Sequence, residues 1–287
     1  MALLALIAVT VVWGVTFVQV KDAVEIYPLF AFLAVRYAIA TGVLGLVGAR
    51  RVRTLGRSGL AAGGVLGVLL GIGIGLQTAG LERTTVSSTG FITGLYVVFT
   101  PLFGLVLFRT RVGAEVWLGV VLSVIGLGML SGVHVGSTTG DLLVLASTSA
   151  QALQIVMVER YANRYDAVAL TLVEMATCFL GFLVIALALG DLSVPRGWTV
   201  WSALIVTGVF ASALAFLIQV WAQRRISAAR IALVFALETV WAGFFGFVLD
   251  GDRLGWLGWG GCAAILAGIV VAEPAAAGVL RRLARRP

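Results

Sequence analysis

RRISAARIALVFALETVWAG, residues 224–243, opens with arginines and continues as an almost unbroken apolar run holding one carboxylate, Glu238. It echoes LERTTVSSTGFITGLYVVFTP, residues 81–101, which ends 142 residues earlier. Around this pair, Gly75–Ser131 aligns without a gap onto Leu217–Glu273, and about a dozen of the 57 pairs are identical. They include Gln77/Gln219, Arg83/Arg225, Gly104/Gly246, Arg111/Arg253, Trp117/Trp259, Gly119/Gly261 and Gly126/Gly268. Shared hydrophobicity alone does not bring glycine and tryptophan into register. The chain therefore contains two copies of one unit.

Apolar residues make up 61% of the 287 residues and charged ones 11%, with a mean hydropathy of +1.09. A soluble domain carries roughly 25% charged residues, so water is not the solvent for most of this surface. Apolar runs of about 20 residues point to helices, because barrels show shorter alternating segments. Spans are expected near 2–20, 29–48, 59–81, 87–108, 113–132, 141–160, 168–189, 198–222, 229–250 and 254–273. The first resembles a signal peptide but lacks a basic start and a small-residue cleavage site. It reads as a true span, with a few native residues expected before it.

The net charge of +7 has a topological explanation. Of the 20 basic residues, 15 fall in alternate connections or the C-terminal tail. The opposite side holds Lys21, Arg83, Arg196 and Arg253, and Arg36 lies within a span. This asymmetry puts both termini in the cytoplasm under the positive-inside rule, and nucleic-acid binding is not needed. Cys178 and Cys262 lie in separate apolar segments and read as packing residues rather than a disulfide or zinc site.

Five spans separate the echoing segments, so the second copy runs through the membrane in the opposite sense. The expected fold is an all-α integral membrane protein of ten transmembrane helices in two inverted five-helix repeats, 1–137 and 138–275, with a basic tail at 276–287. Inverted repeats are a recurring architecture of secondary transporters, with the substrate site near the midplane where the copies meet.

The motifs VVWGVTF (residues 11–17), GLERTTVSSTGFITGLYVVFTPLFGLVLF (80–108) and AQRRISAARIALVFALETVWAGFFGFVLDGDRLG (222–255) are similar to the EamA branch of the drug/metabolite transporter superfamily. The resemblance covers essentially the whole chain and is closest to the YddG type of amino-acid exporter. It implies export of amino acids, aromatic or other neutral ones, or of similar small metabolites. The chain has Glu238-Thr239-Val240 where the family often has a glutamate–proline pair. Gly251-Asp252-Arg253 stands in place of the usual glycine–glutamate.

Glu238 is the tenth residue of its expected span and so lies near the midplane. A charge at the centre of a lone helix costs at least about 2.5–3.5 kcal/mol, so the acid should face a partner or a wet cavity. It either meets a cationic substrate group or a proton, or is a protonated acid bonded to a neighbouring helix. Its twin is Tyr96, so the two copies would present different chemistry to one cavity. Arg36 and Glu174 become twins if the alignment admits a four-residue gap, as a coupling or ion pair. Each could instead reach the membrane surface.

Gln77 and Gln219 read as a polar gate, a cavity wall or interhelical glue. Gln151 and Gln154 share one helix face. Trp13, Phe17, Tyr96 and Trp241 could supply aromatic walls, or simply pack. Gly59, Gly63, Gly67, Gly71 and Gly75 recur every four residues, a stripe that lets another helix approach closely. Gln77 lies about 200° around the wheel from Gly75 and points away from that stripe. Pro101 is expected to kink the fourth span.

Enzymatic function is not expected. The single histidine, His134, falls in a loop, so no metal cluster is assembled, and no phosphate loop is present. Ser87 and Ser88 have no base in their span. The sequence therefore reads as a secondary transporter in the inner (plasma) membrane, with a small-molecule substrate, a lipid environment and no cofactor. Rivals are a proton-coupled multidrug exporter and a non-transporting scaffold. The sequence leaves the oligomeric state open.

Overall fold

A chain surrounded by lipid has to hydrogen-bond its own backbone, and a helix does so within a single segment. The computed structural model describes residues 1–131, 138–249 and 255–273. His134, Asp252, Arg253 and the basic tail lie outside them. The described residues form helices joined by short connections, with no strand among them.

In chain order the helices are α1 (Ala2–Ile26), α2 (Leu29–Gly48), α3 (Gly56–Leu81), α4 (Val86–Gly94), α5 (Tyr96–Phe108), α6 (Ala114–Ser131) and α7 (Thr138–Ala162). There follow α8 (Ala167–Leu189), α9 (Trp198–Ile205), a π-helical segment (Val206–Leu214) and α10 (Ala215–Gln223). The last are α11 (Ala228–Phe235), α12 (Leu237–Leu249) and α13 (Trp256–Ala272). Seven stretches of 20 to 26 residues are long and apolar enough to cross a membrane, and Ala114–Leu130 and Trp256–Ala272 are shorter apolar helices. Leu46, Val106, Val184 and Leu187 expose more than half of their side chains, as lipid-facing residues do.

The helix ends follow local chemistry. Thr85 caps α4 by accepting from Ser88 N at 3.0 Å, and Asp166 caps α8 by accepting from Ala169 N at 3.0 Å. Pro28 cannot continue α1 and forces Tyr27 into an extended conformation, so α2 starts at once. Gly190 closes α8 with φ +71°, a conformation that glycine adopts freely.

Two of the expected spans are each interrupted at one residue, which keeps helical dihedral angles. Leu95 interrupts α4 and α5, and Ala236 interrupts α11 and α12. In the internal alignment these breaks fall within one residue of each other. The kink expected at Pro101 is thus accompanied by a one-residue interruption of the helical ladder six residues earlier, at Leu95, with Pro101 inside α5.

Membrane helices associate by close packing rather than by hydrophobic exclusion, and glycine sets where backbones meet. The stripe on α3 meets α8: a methyl group at Gly63 would lie 2.7 Å from Val173, and at Gly67 2.6 Å from the Glu174 carbonyl. Gly73 and Gly80, on another face of α3, meet Gln151 and Val144 of α7. Residues 198–223 pack on α1 and α2, while α2 packs on α8, α1 on α12 and α5 on α7.

At the α6–α13 crossing glycines on both helices meet backbone. A methyl group on Gly119 would lie 2.6 Å from Gly268 O, and one on Gly268 2.7 Å from Gly119 O. Two turns along, Gly126 and Gly261 stand in the same relation, at 2.6 and 2.5 Å.

Candidate functional site

The helix breaks open onto one cavity. It is walled by α1, α2, α3, α5, α7, the π-helical segment, α10, α11 and α12, and holds about 750 Å³ of empty space including its mouth. Nine of the residues singled out from sequence line it: Trp13, Phe17, Arg36, Gln77, Tyr96, Gln151, Gln154, Gln219 and Glu238. Trp241 does not. It lines an apolar groove between α12 and α13 with Trp259 and Cys262, and packs against Phe244 and Phe245. Glu174 stands behind the wall rather than in it.

The break explains how an acid is accommodated at this depth. In a continuous helix Glu238 would sit mid-segment, but here it is in the first turn of α12. The free N–H groups and positive dipole end of a first turn favour negative charge. Tyr96, its partner in the internal alignment, opens α5 in the same way. The Tyr96 hydroxyl lies beside the Glu238 carboxyl. Neither that hydroxyl nor Glu238 Oε1 has a partner in hydrogen-bond geometry. Thr239 donates to the Gly90 carbonyl at 3.4 Å, a link between α12 and α4.

Arg36 is buried, so it does not snorkel. Its Nε donates to Ser212 Oγ at 2.9 Å. The expected ion pair with Glu174 is not formed: the only salt bridge among the described residues is the exposed Arg51–Asp166 contact. Glu174 Oε1 instead accepts from Gln154 Nε2 at 2.7 Å. A neutral amide thus holds the acid, and Arg36 is drawn to the cavity by the π-helical segment.

Five glutamine side chains differ sharply in environment. Gln219 Nε2 donates to Gln154 Oε1 at 3.1 Å and to Gln223 Oε1 at 3.0 Å, and Gln223 Nε2 donates to the Ile155 carbonyl at 2.8 Å. All three are at most 2% exposed. Gln77, the twin of Gln219, is partly exposed and donates to Thr93 Oγ1 at 2.9 Å. Gln151 is also partly exposed and donates to Ser147 Oγ at 2.8 Å. One copy's amide closes a buried network and the other's opens onto the cavity.

The aromatic wall is organised by Trp13. Its ring meets Phe235 edge-on at 4.7 Å and Phe216 at 5.7 Å, and its Nε1 donates to the Ala211 carbonyl at 2.9 Å. Phe216, Phe235, Ser212 and Gln223 escaped the sequence reading. Gln223 was detectable, since it lies four residues from Gln219 and so on the same face. Ser212 carried no signal, because nothing in VTGVFASAL announces a π-helical turn.

The sequence pattern of the EamA-like transporter family matches residues 1–132 and again residues 138–272. An uncharacterized transporter of Archaeoglobus fulgidus is 27% identical over 93% of this chain and 84% of its own length. The uncharacterized transporter YoaV of Bacillus subtilis is 22% identical over 86% of this chain and 87% of its own. Mouse solute carrier family 35 member F6 matches 41% of this chain at 27% identity, over 34% of its own length. A solved crystal structure superposes with a TM-score of 0.77 over 97% of this chain and 98% of that one, at 21% identity, which shows a shared fold. With apolar helices throughout and a family match over both halves, this multi-pass membrane protein belongs to the EamA-like transporter family.

Proposed function

We propose that this protein is a secondary transporter that exports amino acids or similarly sized metabolites across the plasma membrane by alternating access. The observation that carries the reading is the cavity where the two helix breaks meet, lined by Tyr96 from one copy and Glu238 from the other. Discontinuous helices facing a central cavity are the recurrent site of such transporters, because a break exposes backbone and polar groups only where water or protein can satisfy them.

Two inverted five-helix repeats, ten spans in all, account for the packing. Exchanging each glycine for its twin turns the Gly119–Gly268 contact into the Gly261–Gly126 contact, as a two-fold interface requires. The same exchange turns α3 on α8 into residues 198–223 on α2, and α5 on α7 into α12 on α1. The unequal exposure of Gln77 and Gln219 supports a state accessible by way of Gln77 and sealed at Gln219. Rocking the halves would exchange those roles. On this reading the basic connections keep both termini in the cytoplasm, and binding drives the exchange only through unequal affinity for the two states.

Counterflow in proteoliposomes with an amino-acid panel tests the proposal, with cysteines at positions 96 and 238 labelled from either side. Labelling that shifts between sides on adding a transported amino acid is expected. No counterflow of any solute, together with cysteines unreactive from both sides, sinks the reading in favour of a dry scaffold. Accumulation that follows an imposed pH gradient selects proton-coupled drug export instead.

A further inference from the structure

Helix α5 ends on a residue that its backbone geometry does not favour. Arg109 closes the helix with φ +53° and ψ +29°, and it is the one non-glycine residue with positive φ among the described residues. The closure is a two-bond turn. Arg109 N–H donates to the Leu105 carbonyl at 2.9 Å, and Thr110 N–H to the Gly104 carbonyl at 3.1 Å. Such a seat suits glycine, because a Cβ crowds the backbone in the left-handed region. Gly251 stands at the aligned position of the other copy, so the arginine departs from what the local backbone prefers.

No ion pair within the described residues offsets that strain. Arg109, Arg111 and Arg160 are all without a salt bridge among them. Arg160, in the last turn of α7, lays its guanidinium over the ring of Phe108 at 4.2 Å, next in the chain to Arg109. Stacking on a ring face leaves the N–H edge of a guanidinium available. The acids nearby point elsewhere: Glu115 lies against Gly113 at the head of α6, and Glu159 faces Ala228 and Arg230 of α11. The connection reads Arg109-Thr110-Arg111 in one copy and Gly251-Asp252-Arg253 in the other. Two arginines give +2, whereas one aspartate and one arginine give 0.

Beside this charge the surface of α5 is apolar. Leu102, Leu105 and Val106 are exposed, and their spacing of three and four residues sets them on one side of the helix, leading toward Arg109. In a membrane protein such a strip lies against acyl chains. Phosphate oxygens accept the parallel N–H donors of a guanidinium, and basic pockets at the ends of membrane helices take anionic headgroups. An anionic phospholipid carries both parts, a phosphate at the level of the arginines and apolar chains beside the strip.

We propose that Arg109, Arg111 and Arg160 form a headgroup site for an anionic phospholipid of the cytoplasmic leaflet, with an acyl chain along Leu102, Leu105 and Val106. The choice of leaflet rests on the placement of the basic connections in the transport reading. The site itself rests on the helix end alone.

The test titrates phosphatidylglycerol or phosphatidylcholine into the full chain in neutral-detergent micelles. Thermal stabilisation and native mass spectrometry report the lipid retained. The wild type is expected to hold phosphatidylglycerol in preference to phosphatidylcholine. Arg111→Gln and Arg160→Gln should each weaken phosphatidylglycerol about fivefold and leave phosphatidylcholine unchanged. Arg109→Gly separates binding from folding. Without lipid it should be at least as stable as the wild type, yet it should also lose phosphatidylglycerol about fivefold. Arg51→Gln removes a basic residue already paired with Asp166 and should leave both lipids unchanged.

An equal loss in Arg51→Gln overturns the proposal, because the attraction would then be a property of the whole basic face. So does an Arg109→Gly protein that is less stable without lipid, or that retains phosphatidylglycerol as the wild type does. Displacement of the lipid by an equal concentration of inorganic phosphate would mark a soluble-anion site and also overturns it. Binding in micelles does not depend on the sense of insertion. Impermeant labelling of Ala114→Cys in sealed vesicles of known orientation therefore tests the leaflet separately. Reaction from the outer side overturns the leaflet assignment and the topology of the transport reading, with the headgroup site unaffected.

Discussion

Gly261→Ala tests the backbone-to-backbone contact between α6 and α13. The new methyl group would sit 2.5 Å from the Gly126 carbonyl oxygen and 2.8 Å from Leu130 N, whereas ordinary contact begins at 3.4 Å. Both neighbours are backbone and cannot rotate away. The two helices must therefore part by up to about 0.9 Å, the difference between 3.4 and 2.5 Å. Extra methylenes in a well-packed interface cost about 1–3 kcal/mol. Helix propensity returns less than about 1 kcal/mol of this for glycine to alanine. A net loss of about 1–2 kcal/mol is expected in reversible unfolding from mixed micelles. Gly126→Ala strains the same contact, so the double variant should fall short of the sum of the single losses by about 0.5 kcal/mol or more. Gly42→Ala and Gly181→Ala have nothing within 4 Å of the added methyl group and should be neutral or slightly stabilising. Wild-type stability for Gly261→Ala, or strict additivity with Gly126→Ala, would refute the crossing geometry.

Thr239→Pro probes the helix break directly. Position 239 is in the first turn of α12, where proline removes only the 3.3 Å bond from Thr239 N–H to the Ala236 carbonyl, so it should cost less than the roughly 3 kcal/mol of the interior of an unbroken span. Gln219→Leu removes the donor to Gln154 and Gln223 and leaves two buried acceptors unpaired. At about 1–3 kcal/mol each, the loss should exceed that for Gln77→Leu, and cysteine labelling at position 154 should rise. Asp166→Ala removes the α8 cap and should cost about 0.5–2 kcal/mol. Arg51→Ala removes only the exposed 3.5 Å ion pair and should cost less than about 1 kcal/mol, which chemical denaturation can resolve.

Membrane residence, the helical class and the two-copy organisation follow from sequence, because length, hydropathy and internal identity are properties of the chain before it folds. The glycine stripe on α3 was legible for the same reason: a four-residue period fixes one helix face, and α8 packs on it. Gln77 points away from that face, as its angle on the wheel predicts, and lines the cavity. The EamA resemblance was legible in the same motifs and extends over both halves.

Other features depend on what each segment meets. The expected tenth position of Glu238 in a continuous span became the first turn of α12, because the break at Ala236 carries no proline or glycine to mark it. Arg36 and Glu174 are opposite charges at matching depths, and charge alone would pair them. Gln154 reaches Glu174 first, and the π-helical segment brings Ser212 to Arg36. Trp241 lies three residues beyond Glu238 and so on the same broad helix face, yet it packs in a separate apolar groove with Trp259 and Cys262 of α13. Residue type and period therefore determined which side chains are polar within the membrane and which faces are small. Only the tertiary structure decided which of those polar groups remain unpartnered around a cavity, because that depends on a helix break and a π-helical turn produced by contacts between distant segments.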